Sequence, residues 1–126
     1  MLGSSRQVSV YGYGCPVDLR KGYDGLCGLV VQGLGRDPLS GDLFLFVNRR
    51  RTLAKVLLWD GTGLCIFSKR LEQGRFAALW KRRQGESVRL SVSELRLFLE
   101  GCPWVGKLLL TPPDFSQIIL AKVSGG

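Results

Sequence analysis

Short runs of basic side chains carry the chemistry most open to this sequence. Arg49, Arg50 and Arg51 are consecutive; Lys69 and Arg70 are adjacent, with Arg75 close behind; Lys81, Arg82 and Arg83 form a further run; and Arg20 and Lys21 make a fourth. Arginine outnumbers lysine over the whole chain. A guanidinium holds its charge at any working pH and presents a planar fork that fits two oxygens of a phosphate at once. Clusters of this kind can meet successive phosphates and release their counterions. The bland explanation stands beside it, because charge runs at hairpin tips are commonly just solvated. Trp59, Trp80, Trp104 and Phe76 could stack on unpaired bases, although aromatics at such positions more often fill a core.

Other chemistries find little support. There is no histidine, which removes Ser-His-Asp and Cys-His nucleophile activation and every zinc site that needs imidazole. Cys15, Cys27, Cys65 and Cys102 are far apart, form no Cys-x-x-Cys pair and sit in or beside apolar runs. They read as buried free thiols in a reducing cytoplasm, with no signal peptide and no metal site. A two-metal nuclease needs converging carboxylates. Asp24, Asp60 and Glu72 are the conceivable set, but Asp60 is better explained by a turn and no spacing demands a metal. No Walker loop or dinucleotide-binding glycine motif is present. No apolar stretch reaches the roughly 20 residues of a membrane span. Neither metal nor organic cofactor is expected.

The elements that must position these residues follow from composition and periodicity. The chain has 126 residues, 45% of them apolar, and a formal net charge of +8. That fits one folded domain over 1–126 with an anionic partner or surface. Residues 1–7 and 124–126 read as disordered tails. VSVYGY (8–13) alternates and reads as a strand. Tyr23, Leu26, Cys27, Val30, Val31 and Leu34 follow helical spacing, which predicts a helix near 19–33 with Asp18 as N-cap and Gly33 and Gly35 as the stop. Gly22, Gly25 and Gly28 lie near one stripe of it, as if another backbone approached there.

Three apolar runs follow: LFLFV (43–47), VLLW (56–59) and LCIF (64–67). They read as an antiparallel meander, the Asp60-Gly61 pair marking the second hairpin. Continuous rather than alternating apolar runs imply cover on both faces. Successive turns of a meander lie at alternate ends, so the 49–51 turn and the basic end of the third strand should share one edge. Residues 75–83 admit either a short basic helix or a return strand over 75–79 after a Gln73-Gly74 turn, the strand being slightly favoured. SVRL (87–90) reads as a further strand. Ser91 and Glu94 have capping-box spacing, with Leu90 and Leu95 as the staple. Leu95, Phe98, Leu99 and Cys102 make the apolar stripe, and Gly101 and Pro103 the stop. The expected fold is α+β: a single small domain with a curved, half-barrel-like antiparallel sheet of about five strands and two helices, near 19–33 and 92–101, packed against one side.

Five segments in order, VDLRKGYDGL (17–26), RDPLSGDLFLF (36–46), KVLLWDGTGL (55–64), KRLEQGRF (69–76) and LSVSELRLFLEG (90–101), resemble the small accessory protein of the insertion-sequence 66 transposon family. This is the second-open-reading-frame product, called TnpB or Orf2-like, which is unrelated to the RNA-guided nuclease of the same name. The resemblance implies a helper of transposition encoded beside a separate transposase, with no accepted catalytic residue. Among the matching positions, Gly41, Asp60, Gly61 and Pro38 suit turn geometry. Arg20, Lys21, Lys69, Arg70 and Arg75 have no evident structural task. Leu58 stands where a second tryptophan is common, and Ala77-Ala78 where Trp-Pro is usual.

The expected function is therefore a non-enzymatic accessory protein of a transposable element. It would bind DNA, or the transposase–DNA complex, through a basic sheet edge comprising Arg20, Lys21, Arg49, Arg50, Arg51, Lys69, Arg70, Arg75, Lys81, Arg82 and Arg83. The alternative is a protein–protein adaptor or homo-oligomer, with the QIILAKV run (117–123) as part of its contact face.

Overall fold

A computed structural model describes residues 7–80 and 87–101. Its elements are β1 (Val10–Gly12), α1 (Tyr23–Leu34), β2 (Leu43–Val47), β3 (Leu53–Trp59), β4 (Leu64–Arg70), β5 (Val88–Leu90) and α2 (Val92–Leu99). The strands form one open five-stranded sheet in the order β4-β3-β2-β1-β5. The α+β class, the strand number and the two helices are as expected.

The β2-β3-β4 meander is antiparallel, in the register Val47 opposite Ala54 and Leu53 opposite Arg70. β1 pairs antiparallel with β5 but parallel with β2, Tyr11 lying opposite both Arg89 and Phe44. The sheet is thus mixed rather than wholly antiparallel. The physical reason is the connection: α1 carries the chain from the finishing end of β1 back to the starting end of β2, as a parallel crossover requires.

That crossover also places the two helices on opposite faces, not on one side. Alternate residues of β2 point to opposite faces. Phe44 and Phe46 pack with Tyr11, Leu57 and the α1 residues Leu26 and Val30. Leu45 and Val47 pack with Val10, Ala54, Val56, Phe76 and the α2 residues Leu95 and Phe98. Both faces of the central strands are therefore buried, as their continuous apolar character requires.

Local corrections follow from the same packing. The chain stays extended past β1, with Val17 N–H donating to the Val47 carbonyl at 3.0 Å, so α1 starts at Gly22 as N-cap and not at Asp18. Gly35, at φ +63°, ends the helix, while Gly33 lies inside it. Among the described residues no backbone approaches the Gly22, Gly25 and Gly28 stripe; the close approach is at Gly33, where an added Cβ would sit 2.6 Å from the Tyr13 ring. Residues 75–79 form no strand. Gly74 turns the chain at φ +76°, and Phe76 then plugs into the core, its ring stacked on Phe98 at 5.3 Å. The capping box is present: Glu94 N–H donates to Ser91 Oγ, and Ser91 N–H to Glu94 Oε1 at 2.7 Å.

Candidate nucleic-acid interface

Asn48 builds the turn that carries the arginine run. Its side-chain oxygen accepts the backbone N–H groups of Thr52 at 2.9 Å and Leu53 at 3.1 Å. The Arg51 N–H closes the turn on the Asn48 carbonyl at 3.0 Å. Arg51 takes φ +61°, a left-handed conformation uncommon for a residue with a Cβ. Arg49 and Arg50 are left exposed at the tip.

The expected juxtaposition at one end of the sheet is present. β4 finishes beside the start of β3, and Leu71 N–H donates to the Thr52 carbonyl at 2.8 Å. The 16–20 connection reaches the same end, so that Arg20, Arg49 and Arg50 line one open cleft with Asp18, Asn48 and Thr52. Lys21 is exposed nearby, its carbonyl accepting from Lys55 Nζ at 3.2 Å. Arg75 is exposed one residue before the Phe76 N–H that bonds the Arg51 carbonyl.

The members of the set differ in what else they do. Arg20 forms a two-oxygen ion pair with Asp18, Nε to Oδ1 at 2.9 Å and Nη2 to Oδ2 at 2.6 Å. This holds the Asp18 carboxyl far below its ordinary range and raises Arg20. The idea that Arg20 has no structural task is thereby corrected: it is half of a local salt bridge, and so offers the cleft less free charge. Arg51 donates to the Phe76 carbonyl at 3.3 Å and fastens the 71–80 segment. Lys69 and Arg70 lie inside β4, which runs three residues past the apolar LCIF. Alternation then points Lys69 to the α2 face beside Ala54 and Arg70 to the α1 face beside Leu53. Arg70 also sits 3.7 Å from Glu72, both well exposed. Lys81, Arg82 and Arg83 lie outside the described residues, as do Trp104, Cys102, the QIILAKV run and the 124–126 tail.

Phe76 is fully buried and Trp80 packs against the α2-side core, which takes Phe76 out of base stacking. Asp60 is committed to its turn, Oδ1 accepting from the Thr62 and Gly63 N–H groups at 2.9 Å. These bonds bring its pKa down to about 2. It lies at the opposite end of the sheet from Glu72, and among the described residues no three carboxylate or thiol groups gather as a metal site. Cys15, Cys27 and Cys65 are free and only partly buried. Desolvation, then Asp24 in one case and Asp60 in the other, pushes Cys27 and Cys65 up. No described helix is long and apolar enough to cross a membrane.

Two arginines not expected at a site are held together by tertiary structure. Arg36 and Arg89 both place their guanidinium carbons over the Tyr11 ring, at 4.0 and 4.9 Å from its centroid. Each stands alone in the sequence, so no charge run marks them.

The fold defines a small α+β protein with an open five-stranded sheet, whose turn at one end carries the exposed Arg49 and Arg50. The family model described as IS66 Orf2 like protein matches residues 8–107, and the chain belongs to that family; it is thus a transposon accessory protein. Two uncharacterized proteins of Sinorhizobium fredii strain NGR234 are similar along most of their length. One, y4hO, is 38% identical over 104 residues, 82% of this chain and 89% of the relative. The other, y4jC, is 34% identical over 104 residues, 82% of this chain and 87% of the relative. No solved structure matches the chain significantly.

Proposed function

We propose that this protein assists transposition by binding DNA through the phosphate backbone at the basic end of its sheet, catalysing no step itself. The observation that carries this reading is the cleft in which Arg49 and Arg50, on a turn braced by Asn48, face Arg20. Rigid presentation lowers the entropy lost when arginine engages a phosphate. Lys21, Arg70 and Arg75 widen the positive surface around it. The transposase or its DNA complex is the natural setting for such contacts.

The test is fluorescence anisotropy with short single- and double-stranded DNA at about 50 and 200 mM salt, a range over which phosphate-driven affinity falls by orders of magnitude. Binding that weakens steeply with salt, and is lost in an Arg49→Glu/Arg50→Glu variant with an unchanged melting temperature, supports the proposal. Unchanged affinity in that variant overturns it.

One observation favours a second reading, a protein adaptor or homo-oligomer. β4 is an edge strand of the described sheet, and its Phe67 is 50% exposed. An exposed apolar edge can add a strand from another chain. Mass that rises with concentration, with no DNA affinity at low salt, would place this reading first.

A further inference from the structure

We propose that Arg36 and Arg89, gathered over Tyr11, form a second phosphate-binding point that extends the DNA footprint beyond the Arg49–Arg50 turn. The proposal rests on the DNA-binding reading above and adds residues to it.

Tyr11 is 7% exposed, and its ring carries two guanidinium groups from distant parts of the chain. Arg36 follows the Gly35 cap of α1, and Arg89 stands opposite Tyr11 in β5. A ring face attracts a cation, but two cations on one ring repel each other. Neither takes part in the ion pairs seen among the described residues. The nearby Asp42 carboxylate is buried and accepts the Ser9 N–H at 3.1 Å and the Ser40 hydroxyl at 3.2 Å. Arg89 uses one N–H on Ser9 Oγ at 2.8 Å, which fixes its direction. Both arginines are exposed, and apart from the Arg89–Ser9 bond their side chains donate to none of the described residues. An anion with several oxygens would accept from both and relieve their repulsion.

The placement suits one nucleic acid touching both points. Tyr11 points to the α1 face, where Lys55 and Arg70 also point. Along β2, Phe44 beside Tyr11 is three residues from Val47 beside the arginine turn, about 10 Å at strand rise. That is well inside one turn of a DNA duplex, about 34 Å.

The experiment compares the whole protein with Arg36→Met, Arg89→Met and the double variant, which keep the methylene stems over Tyr11. Affinity for a short duplex is measured across a salt series, with the melting temperature as a control. In parallel, inorganic phosphate is titrated against the arginine Nε–Hε NMR signals. Losing this one phosphate contact should lower the slope of log K against log salt by about 0.9, shrinking the affinity ratio between about 50 and 200 mM about 3.5-fold. Phosphate should shift the Arg36 and Arg89 signals saturably. An unchanged slope in the double variant overturns the second point even if the melting temperature falls, and leaves the first in place. If the wild type fails to bind DNA while phosphate still shifts both signals, the DNA-binding reading falls and the pair stands as a phosphate site. Absence of both effects overturns both.

Discussion

Arg51 and Phe76 hold each other by their backbones and by a side chain. The Phe76 N–H donates to the Arg51 carbonyl at 2.7 Å, and the Arg51 guanidinium donates to the Phe76 carbonyl at 3.3 Å. The last residue of a basic run thus fastens the segment that buries Phe76 against Phe98. Arg51 is a structural residue beside Arg49 and Arg50, whose side chains are exposed and bond to none of the described residues.

Substitutions within the run should therefore separate stability from binding. Arg51→Ala loses one hydrogen bond and destabilises by about 1 kcal/mol. Arg51→Gly loses the same bond but relieves the positive φ, and should be close to neutral. Arg49→Ala and Arg50→Ala leave stability within about 0.5 kcal/mol and weaken DNA binding more than either Arg51 variant. Urea unfolding and anisotropy on the same samples check the separation.

Two glycines of α1 should respond with opposite sign. An added methyl at Gly28 meets nothing within 4 Å among the described residues, so Gly28→Ala should stabilise by about 0.5–1 kcal/mol through helix propensity. At Gly33 the methyl collides with the Tyr13 ring, which itself packs on Phe46 at 5.6 Å. Gly33→Ala should destabilise by about 1–2 kcal/mol, overpacking exceeding the propensity gain. Thermal unfolding of the two variants decides it.

Asp18 restrains the basic cleft. Asp18→Asn removes a negative charge and frees Arg20 from its two-oxygen pair. DNA affinity should rise several-fold at low salt, and the gain should shrink as salt screens the surface. An affinity unchanged at low salt would mean that Arg20 does not reach DNA.

Asp60 should shape the acid limb of stability. Its folded pKa of about 2 lies below the ordinary 3.8, chiefly because the Thr62 and Gly63 amides donate to the carboxylate. A depressed folded pKa means that its contribution is fully present above the unfolded value and is lost as pH falls from about 3.8 toward 2. Asp60→Asn keeps an acceptor oxygen and does not titrate. Its unfolding midpoint should fall less steeply over that window than the wild type's. Parallel acid slopes would remove Asp60 as a contributor; the remaining slope belongs in part to Asp18, whose carboxyl is held lower still by Arg20.

Local order made much of this protein legible in its residues. Ser91 and Glu94 declared the start of α2 because a capping box satisfies its own amides within four residues. Asp60-Gly61 declared a hairpin, and the apolar run Leu43–Val47 declared a strand covered on both faces. Meander geometry then brought the 49–51 turn and the end of β4 to one edge without reference to anything distant. Tertiary structure alone decided the rest. The parallel β1–β2 pairing, and with it the placing of α1 and α2 on opposite faces, depends on how the crossover packs, which no local pattern encodes. The segment after Gly74 forms no strand and instead buries Phe76 against Phe98, a partner distant in sequence. Arg20 and Arg51 acquired structural partners, while Arg36 and Arg89 met over Tyr11, because a long side chain's partner is set by which backbones come close in space. Residue type and spacing determine which chemistry this protein can offer; packing determines which arginines remain free to offer it.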